Sequence, residues 1–162
     1  MIETEQAFKA SFEKVYGLLT DQDFLRKKYE GVGSRNVEFG ECGQDEEIFR
    51  IEWSREVPSN PPGFAKKFLS EWNRLEEIME WTLEDDGSAR ADYLCHVAGV
   101  PGKLEGEFEL RPDGKGCVES IVMKATISVP LLGHKVAGFV EDDAEAQLEK
   151  EYRFTKSHLK EK

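Results

Sequence analysis

The stretch from about Gly133 to Leu159 constrains the fold most. At helical spacing, Val136, Ala137, Val140, Ala144, Leu148, Tyr152 and Leu159 fall on one broad arc. Asp142, Glu145, Glu149, Lys150, Arg153, Lys156 and Lys160 fall on the opposite arc. Glu149 and Arg153 stand at i,i+4, a pairing that suits a solvated helix face. A helix this long and apolar on one side only must lie across a second layer, and the residues before it supply one. From Arg35 to Val129 the hydrophobic period falls to two. Val37 and Phe39 share a face of a short strand. Phe49, Ile51 and Trp53 alternate with Arg50, Glu52 and Ser54, while Leu75, Met79, Trp81 and Leu83 alternate with Glu76, Glu80 and Glu84. Ala89, Ala91, Tyr93, Cys95 and Val97 follow on one face. Leu104, Gly106, Phe108 and Leu110 are opposed by Glu105, Glu107, Glu109 and Arg111, and Cys117, Ile121, Met123, Ala125, Ile127 and Val129 end the series. Asp85-Asp86-Gly87 and Pro112-Asp113-Gly114 are hairpin signals. Short strands joined by hairpins, each with one charged face, make an antiparallel sheet wet on one side. A curved sheet whose concave face is closed by a long helix encloses a cavity or a core.

Ahead of this series, Ile2, Thr4, Gln6 and Phe8 alternate as a strand. Ser11 can cap a helix carrying Phe12, Val15, Tyr16, Leu18 and Leu19. Asp21 or Asp23 starts a second helix through Phe24, Leu25 and Tyr29, which Gly31-Val32-Gly33 stops. Pro58-Ser59-Asn60-Pro61-Pro62-Gly63 breaks the meander, because proline cannot continue a central strand. With Phe64 to Leu69 it reads as an inserted loop and short helix. A chain of 162 residues suits a single domain over positions 1–162.

Composition narrows the function classes. A net charge of −11 repels nucleic acid and anionic membrane surfaces. The ten Phe and three Trp are too many for a chain without a core. Cys42, Cys95 and Cys117 are odd in number and lack C-x-x-C spacing, which fits a reducing cytoplasm and argues against a disulfide framework or a zinc site. The first residues carry no secretory signal. No apolar run approaches the roughly 20 residues of a membrane span. There is no phosphate loop and no G-x-S-x-G elbow. His96, His134 and His158 are scattered, and the acidic run Glu141-Asp142-Asp143 suits a solvated helix start. Neither a cofactor nor a metal is expected, and no residue is assigned a catalytic role.

The informative residues are polar ones on apolar faces. Arg55 continues the face of Phe49, Ile51 and Trp53. Glu77 sits between Leu75 and Met79, Tyr93 points inward from the next strand, and Glu151 and His158 fall within the apolar arc of the last helix. Buried charge is costly unless paired, so these groups could orient a ligand in an apolar pocket. The plainer alternative puts Arg55 and Glu77 near strand ends and Glu151 and His158 at the helix rim, all reaching water.

The order of strand, two helices, six strands and long helix resembles the helix-grip fold of the START/polyketide-cyclase (SRPBCC) superfamily. Leu19-Thr20-Asp21-Gln22-Asp23-Phe24, Lys28-Tyr29-Glu30-Gly31-Val32-Gly33 and Arg55-Glu56-Val57-Pro58 are similar to a bacterial family of unknown function. So are Val100 to Gly106, Val129 to Lys135 and Glu151-Tyr152-Arg153-Phe154-Thr155. The resemblance implies an α+β helix-grip fold, with a curved antiparallel sheet of about six to seven strands around the C-terminal helix and two short helices after the first strand. It also implies an apolar, lipid-like or polyketide-like small molecule bound under that helix. The expected lining is Phe49, Trp53, Met79, Trp81, Tyr93, Phe108, Met123, Val140 and Leu148, with Arg55, Glu77 and Glu151 as its polar members. Two other readings stay open. One is a cavity enzyme using Arg55, Glu77, Tyr93 and Glu151 in acid–base chemistry, where a carboxyl in a water-poor site would have a raised pKa. The other is a protein-interaction module resembling the superfamily's chaperone-activating branch, marked by a packed interior and an apolar patch at Phe64, Phe68 and Leu69.

Overall fold

A computed structural model describes residues 1–161. Strand β1 (Ile2–Phe8) leads to helices α1 (Phe12–Leu19) and α2 (Gln22–Gly31). Strands β2 (Arg35–Asp45), β3 (Ile48–Pro58), β4 (Trp72–Leu83), β5 (Ala89–Val97), β6 (Gly102–Asp113) and β7 (Gly116–Ile127) follow, and helix α3 (Gly133–His158) completes the described chain. The strands form one seven-stranded antiparallel sheet in the order β1-β7-β6-β5-β4-β3-β2. This is the helix-grip arrangement: the sheet curves around α3, and α1 and α2 link its two edge strands, α1 packing on β6 and β7 and α2 on β2 and α3.

Local chemistry accounts for the boundaries. The Ser11 hydroxyl accepts from the Lys14 amide, and the Asp21 carboxylate accepts from the Asp23 amide, so each short helix starts on a side-chain cap. Gly33, at φ +102°, takes the chain out of α2 in a backbone conformation that favours glycine. Asp85-Asp86-Gly87 forms a three-residue hairpin loop closed by Glu84 and Ser88, with Gly87 at φ +89°. The second turn sits one step later than its sequence signal. Asp113 pairs with Gly116, so Gly114 and Lys115 make the turn while Pro112 stays in β6 opposite Cys117. Proline is tolerated there because the pairing of β6 with β5 has already ended at Leu110.

Strand β2 differs from the short strand expected. It runs for 11 residues, with register shifts after Arg35 and after Phe39 that bend it along β3. Those irregularities hide its alternation.

Helix α3 carries the expected apolar arc but does not lie flat on the sheet. Only Val136, Val140 and Thr155 are buried on it, and the residues between are half-buried or exposed. At its start, the Glu141 carboxylate accepts from the Met1 ammonium at 2.6 Å and from the Ala125 amide at 2.8 Å. Toward its end, the Tyr152 hydroxyl donates to the Ala7 carbonyl at 2.6 Å. Phe154 packs directly over Gly31, where no side chain stands between the helices. The helix is thus fastened near both ends and bridges a space in the middle. The acidic run is only partly a solvated end, since Glu141 fastens α3 and Asp143 accepts from Ser59 at 2.8 Å.

Candidate functional site

The space under α3 is a cavity of about 200 Å³. The sheet supplies a mainly apolar wall, and three inward positions on neighbouring strands bring polar groups into it. Register decides what meets. Trp53 stands opposite Glu77 and Arg55 opposite Leu75, so Arg55 and Glu77 are diagonal neighbours on one face. Met79 stands opposite Tyr93, which makes Tyr93 the other diagonal neighbour of Glu77.

The side chains close those diagonals. Arg55 Nε donates to Glu77 Oε2 at 2.9 Å and Arg55 Nη2 to Glu77 Oε1 at 3.2 Å, a forked pairing. The Tyr93 hydroxyl donates to Glu77 Oε1 at 2.6 Å. Across the cavity, Glu151 Oε2 on α3 accepts from Arg55 Nη1 and Nη2 at 3.4 Å each, and Ser34 Oγ accepts from Nη1 at 3.3 Å. The guanidinium lies 4.0 Å above the Tyr29 ring centre, and Tyr29 is itself stacked on Trp53. Arg55 is 5% exposed and Glu77 2%, so neither reaches water as the plainer alternative would have it. Burial disfavours the Arg55 charge, but Glu77 and Glu151 outweigh it and hold its pKa well above the ordinary value. Burial, then Glu151, raises the Tyr29 pKa, and burial, then Cys95 and Glu77, raises that of Tyr93; both stay neutral phenols.

Two further buried ionisable residues have no place in the expectations from sequence. Lys28 on α2 is 6% exposed and Glu119 on β7 is 6% exposed, and both line the cavity. Among the described residues Lys28 makes no ion pair within 4.0 Å and no hydrogen bond through its ammonium; its Nζ lies 5.2 Å from the Tyr29 ring centre. Burial lowers its pKa, opposed by Glu151 and then Glu119. Burial pushes the Glu119 carboxyl up to about 7, with Lys28 pulling down and Glu151 pushing further up. Both had a signal. Glu119 falls in phase with Cys117, Ile121 and Met123, as Glu77 does between Leu75 and Met79. Lys28 falls inside the arc of Phe24, Leu25 and Tyr29.

Of the residues named from sequence, Trp53, Arg55, Glu77, Met79, Trp81, Tyr93, Phe108, Met123, Val140, Leu148 and Glu151 line the cavity. Phe49 does not. It lies near the β2–β3 hairpin, paired with Gln44, where the strand has run past the space under α3. His158 is exposed and packs on the Phe24 ring at 4.8 Å. The inserted loop turns inward as well: Ala65 is 0% and Leu69 6% exposed, Leu69 lines the cavity, and Phe64 is left at 38%. That leaves little of the apolar patch that a docking role for this loop would need. No helix among the described residues is long and apolar enough to cross a membrane.

Residues 3–159 match the model of a family described as protein of unknown function (DUF2505), and the chain belongs to that family. No curated protein matches the chain by sequence. Among solved structures it is similar to a STAR-related lipid transfer protein fragment from Xanthomonas axonopodis, at 17% identity and a TM-score of 0.62 over 98% of this chain and 85% of that one. It is also similar to the protein TTHA0849 from Thermus thermophilus, at 18% identity and a TM-score of 0.60 over 94% of each chain. Mll3558 from Rhizobium loti matches over 92% of each chain at 14% identity and a TM-score of 0.51. At these identities the likeness is one of fold.

Proposed function

We propose that this member of the family binds a small apolar molecule in the cavity beneath α3 and performs no chemistry on it. The observation that carries the reading is α3 itself, fastened near both ends and half-buried in its middle over a cavity whose sheet wall is mainly apolar. A helix whose only role was to seal a core would bury its central Ala144 and Leu148 as fully as Val136. The similarity of fold to a STAR-related lipid transfer protein supports a lipid-like ligand. The free cysteines and the acidic surface suit a cytoplasmic carrier. Native mass spectrometry of the protein purified from its own host tests the reading. A stoichiometric apolar adduct is the expected result, and a clean apo mass with no thermal stabilisation by apolar ligands overturns it.

One observation favours a second reading, an enzyme working by acid–base chemistry. Glu119, whose carboxyl is pushed up to about 7, is suited to exchange a proton near neutral pH. Under that reading the released adduct differs covalently from the molecule supplied, and Glu119→Gln leaves the supplied molecule unchanged.

A further inference from the structure

The cavity holds two buried cations, and only one has its partners. Arg55 spends its donors on Glu77, Glu151 and Ser34, with Tyr29 beneath it, so it has little left to offer a ligand. Lys28 faces the same cavity, is 6% exposed and has no anion within ion-pair distance among the described residues. Three further donors on residues that line the cavity, Trp53 Nε1, Trp81 Nε1 and Gln147 Nε2, are buried without an acceptor. A buried ammonium without a counter-charge is costly, and a group that only accepts hydrogen bonds would satisfy it.

We infer that Lys28 is the seat of a carboxylate head group, and that the ligand of the cavity is a monocarboxylate with a medium-length apolar tail. This rests on the ligand-binding reading above and adds the ligand's class. The tail would lie along Met79, Phe108 and Met123. A volume of about 200 Å³ is below the range usual for drug-sized ligands, which suits a chain of octanoate size better than a long lipid. Glu119 would then meet the head group as a neutral acid, donating a hydrogen bond rather than repelling it. The charged and titratable groups that line the cavity with it are Lys28 and Tyr29 from α2, Arg55 from β3, Glu77 from β4, Tyr93 and Cys95 from β5, and Asp143, Lys150, Glu151 and Tyr152 from α3, with neutral Gln6 opposite it on β1. Lys28 and Glu151 act on it most, in opposite directions. Carboxylate binding therefore carries a proton onto Glu119 and weakens as pH rises through about 7.

Calorimetric titration of the full chain with octanoate, 1-octanol and octylamine, at pH 6 and pH 8, tests this. Octanoate is expected to bind about tenfold tighter than 1-octanol at pH 6, in proportion to one charge-assisted contact. Its advantage should shrink at pH 8 in the wild type but not in Glu119→Gln. Lys28→Met should bind the alcohol and lose the preference for the acid. Equal binding of acid and alcohol by the wild type overturns the inference alone, with no variant needed, and tightest binding of octylamine overturns it in favour of an amine on Glu119. Failure of all three to bind removes this inference and, if the host-purified protein is also a clean apo mass, the ligand-binding reading with it.

Discussion

Arg55 and Lys28 stand on the same cavity, similarly buried, and are held in opposite ways. The guanidinium is enclosed by two carboxylates, a hydroxyl and an aromatic face, all contributed by residues far away in sequence. The ammonium has two aromatic rings within about 6 Å and carboxylates only at longer range. The first arrangement is complete without a ligand and holds the strands, α2 and α3 in register. The second is incomplete, and its electrostatic cost is relieved only by something that enters. One cavity thus carries a paired cation on its sheet wall and an unpaired one on α2, and the chemistry of each follows from how many acceptors the topology brings within reach.

The largest expected effect tests the closed half. Arg55→Met leaves a buried Glu77 and a half-buried Glu151 without their counter-charge, and urea unfolding should show a loss of about 3–5 kcal/mol. A loss under about 1 kcal/mol would mean that the network is not structural. Next is the pH dependence of the open half. The Glu119 pKa is raised on folding, from 4.5 to about 7, so its proton favours the folded state. That contribution is complete below about pH 4.5 and lost as pH rises to about 7. Compared with Glu119→Gln, the wild type should lose about 3 kcal/mol across that window and no more above it, read by unfolding at pH 5 and pH 8. Parallel stability profiles for the two proteins would show that Glu119 titrates normally. Tyr93→Phe removes one hydrogen bond to an ionised acceptor, and its expected cost is about 2 kcal/mol by the same measurement. The smallest effect sharpens the contrast most. Lys28→Met should leave the ligand-free protein unchanged or stabilise it slightly, by about 1 kcal/mol, because it removes an unpaired buried charge and keeps an apolar stem. A marked fall in melting temperature would give Lys28 a hidden partner and erase the distinction from Arg55.

Much of the closed half could be read along the chain. Glu77 interrupts an apolar alternation, Arg55 continues one, and adjacent strands bring such positions together at diagonal spacing. Glu119 obeys the same rule and was legible by the same phase count, but it stands in a series whose apolar members already define a strand without it. Lys28 was harder to see, because a lysine near the exposed end of a short helix looks like solvated surface until its angle is set against Phe24, Leu25 and Tyr29. Phe49 marks the limit of alternation as a guide. Phase fixes which face a side chain takes, whereas the distance along a strand at which a cavity ends depends on where α3 crosses. The length of β2 was hidden for a related reason, since its irregular register breaks the period that would have revealed it.

Strand β1 has β7 as its one strand partner, with Ile2 opposite Met123 and Phe8 opposite Cys117, more than a hundred residues further on. Pairings so distant in sequence make a chain slow to fold, because the loop between them must close before any contact rewards it. At ribosomal speeds of about 5–20 residues per second, β1 leaves the tunnel several seconds before its partner exists. The hairpins from β2 to β6 can assemble during that interval, but β1 cannot, and neither can the wall that carries Gln6 and Glu119. The cavity is therefore among the last parts of the protein to come into being, and a ligand present at that moment can be enclosed as the sheet closes, without α3 having to lift.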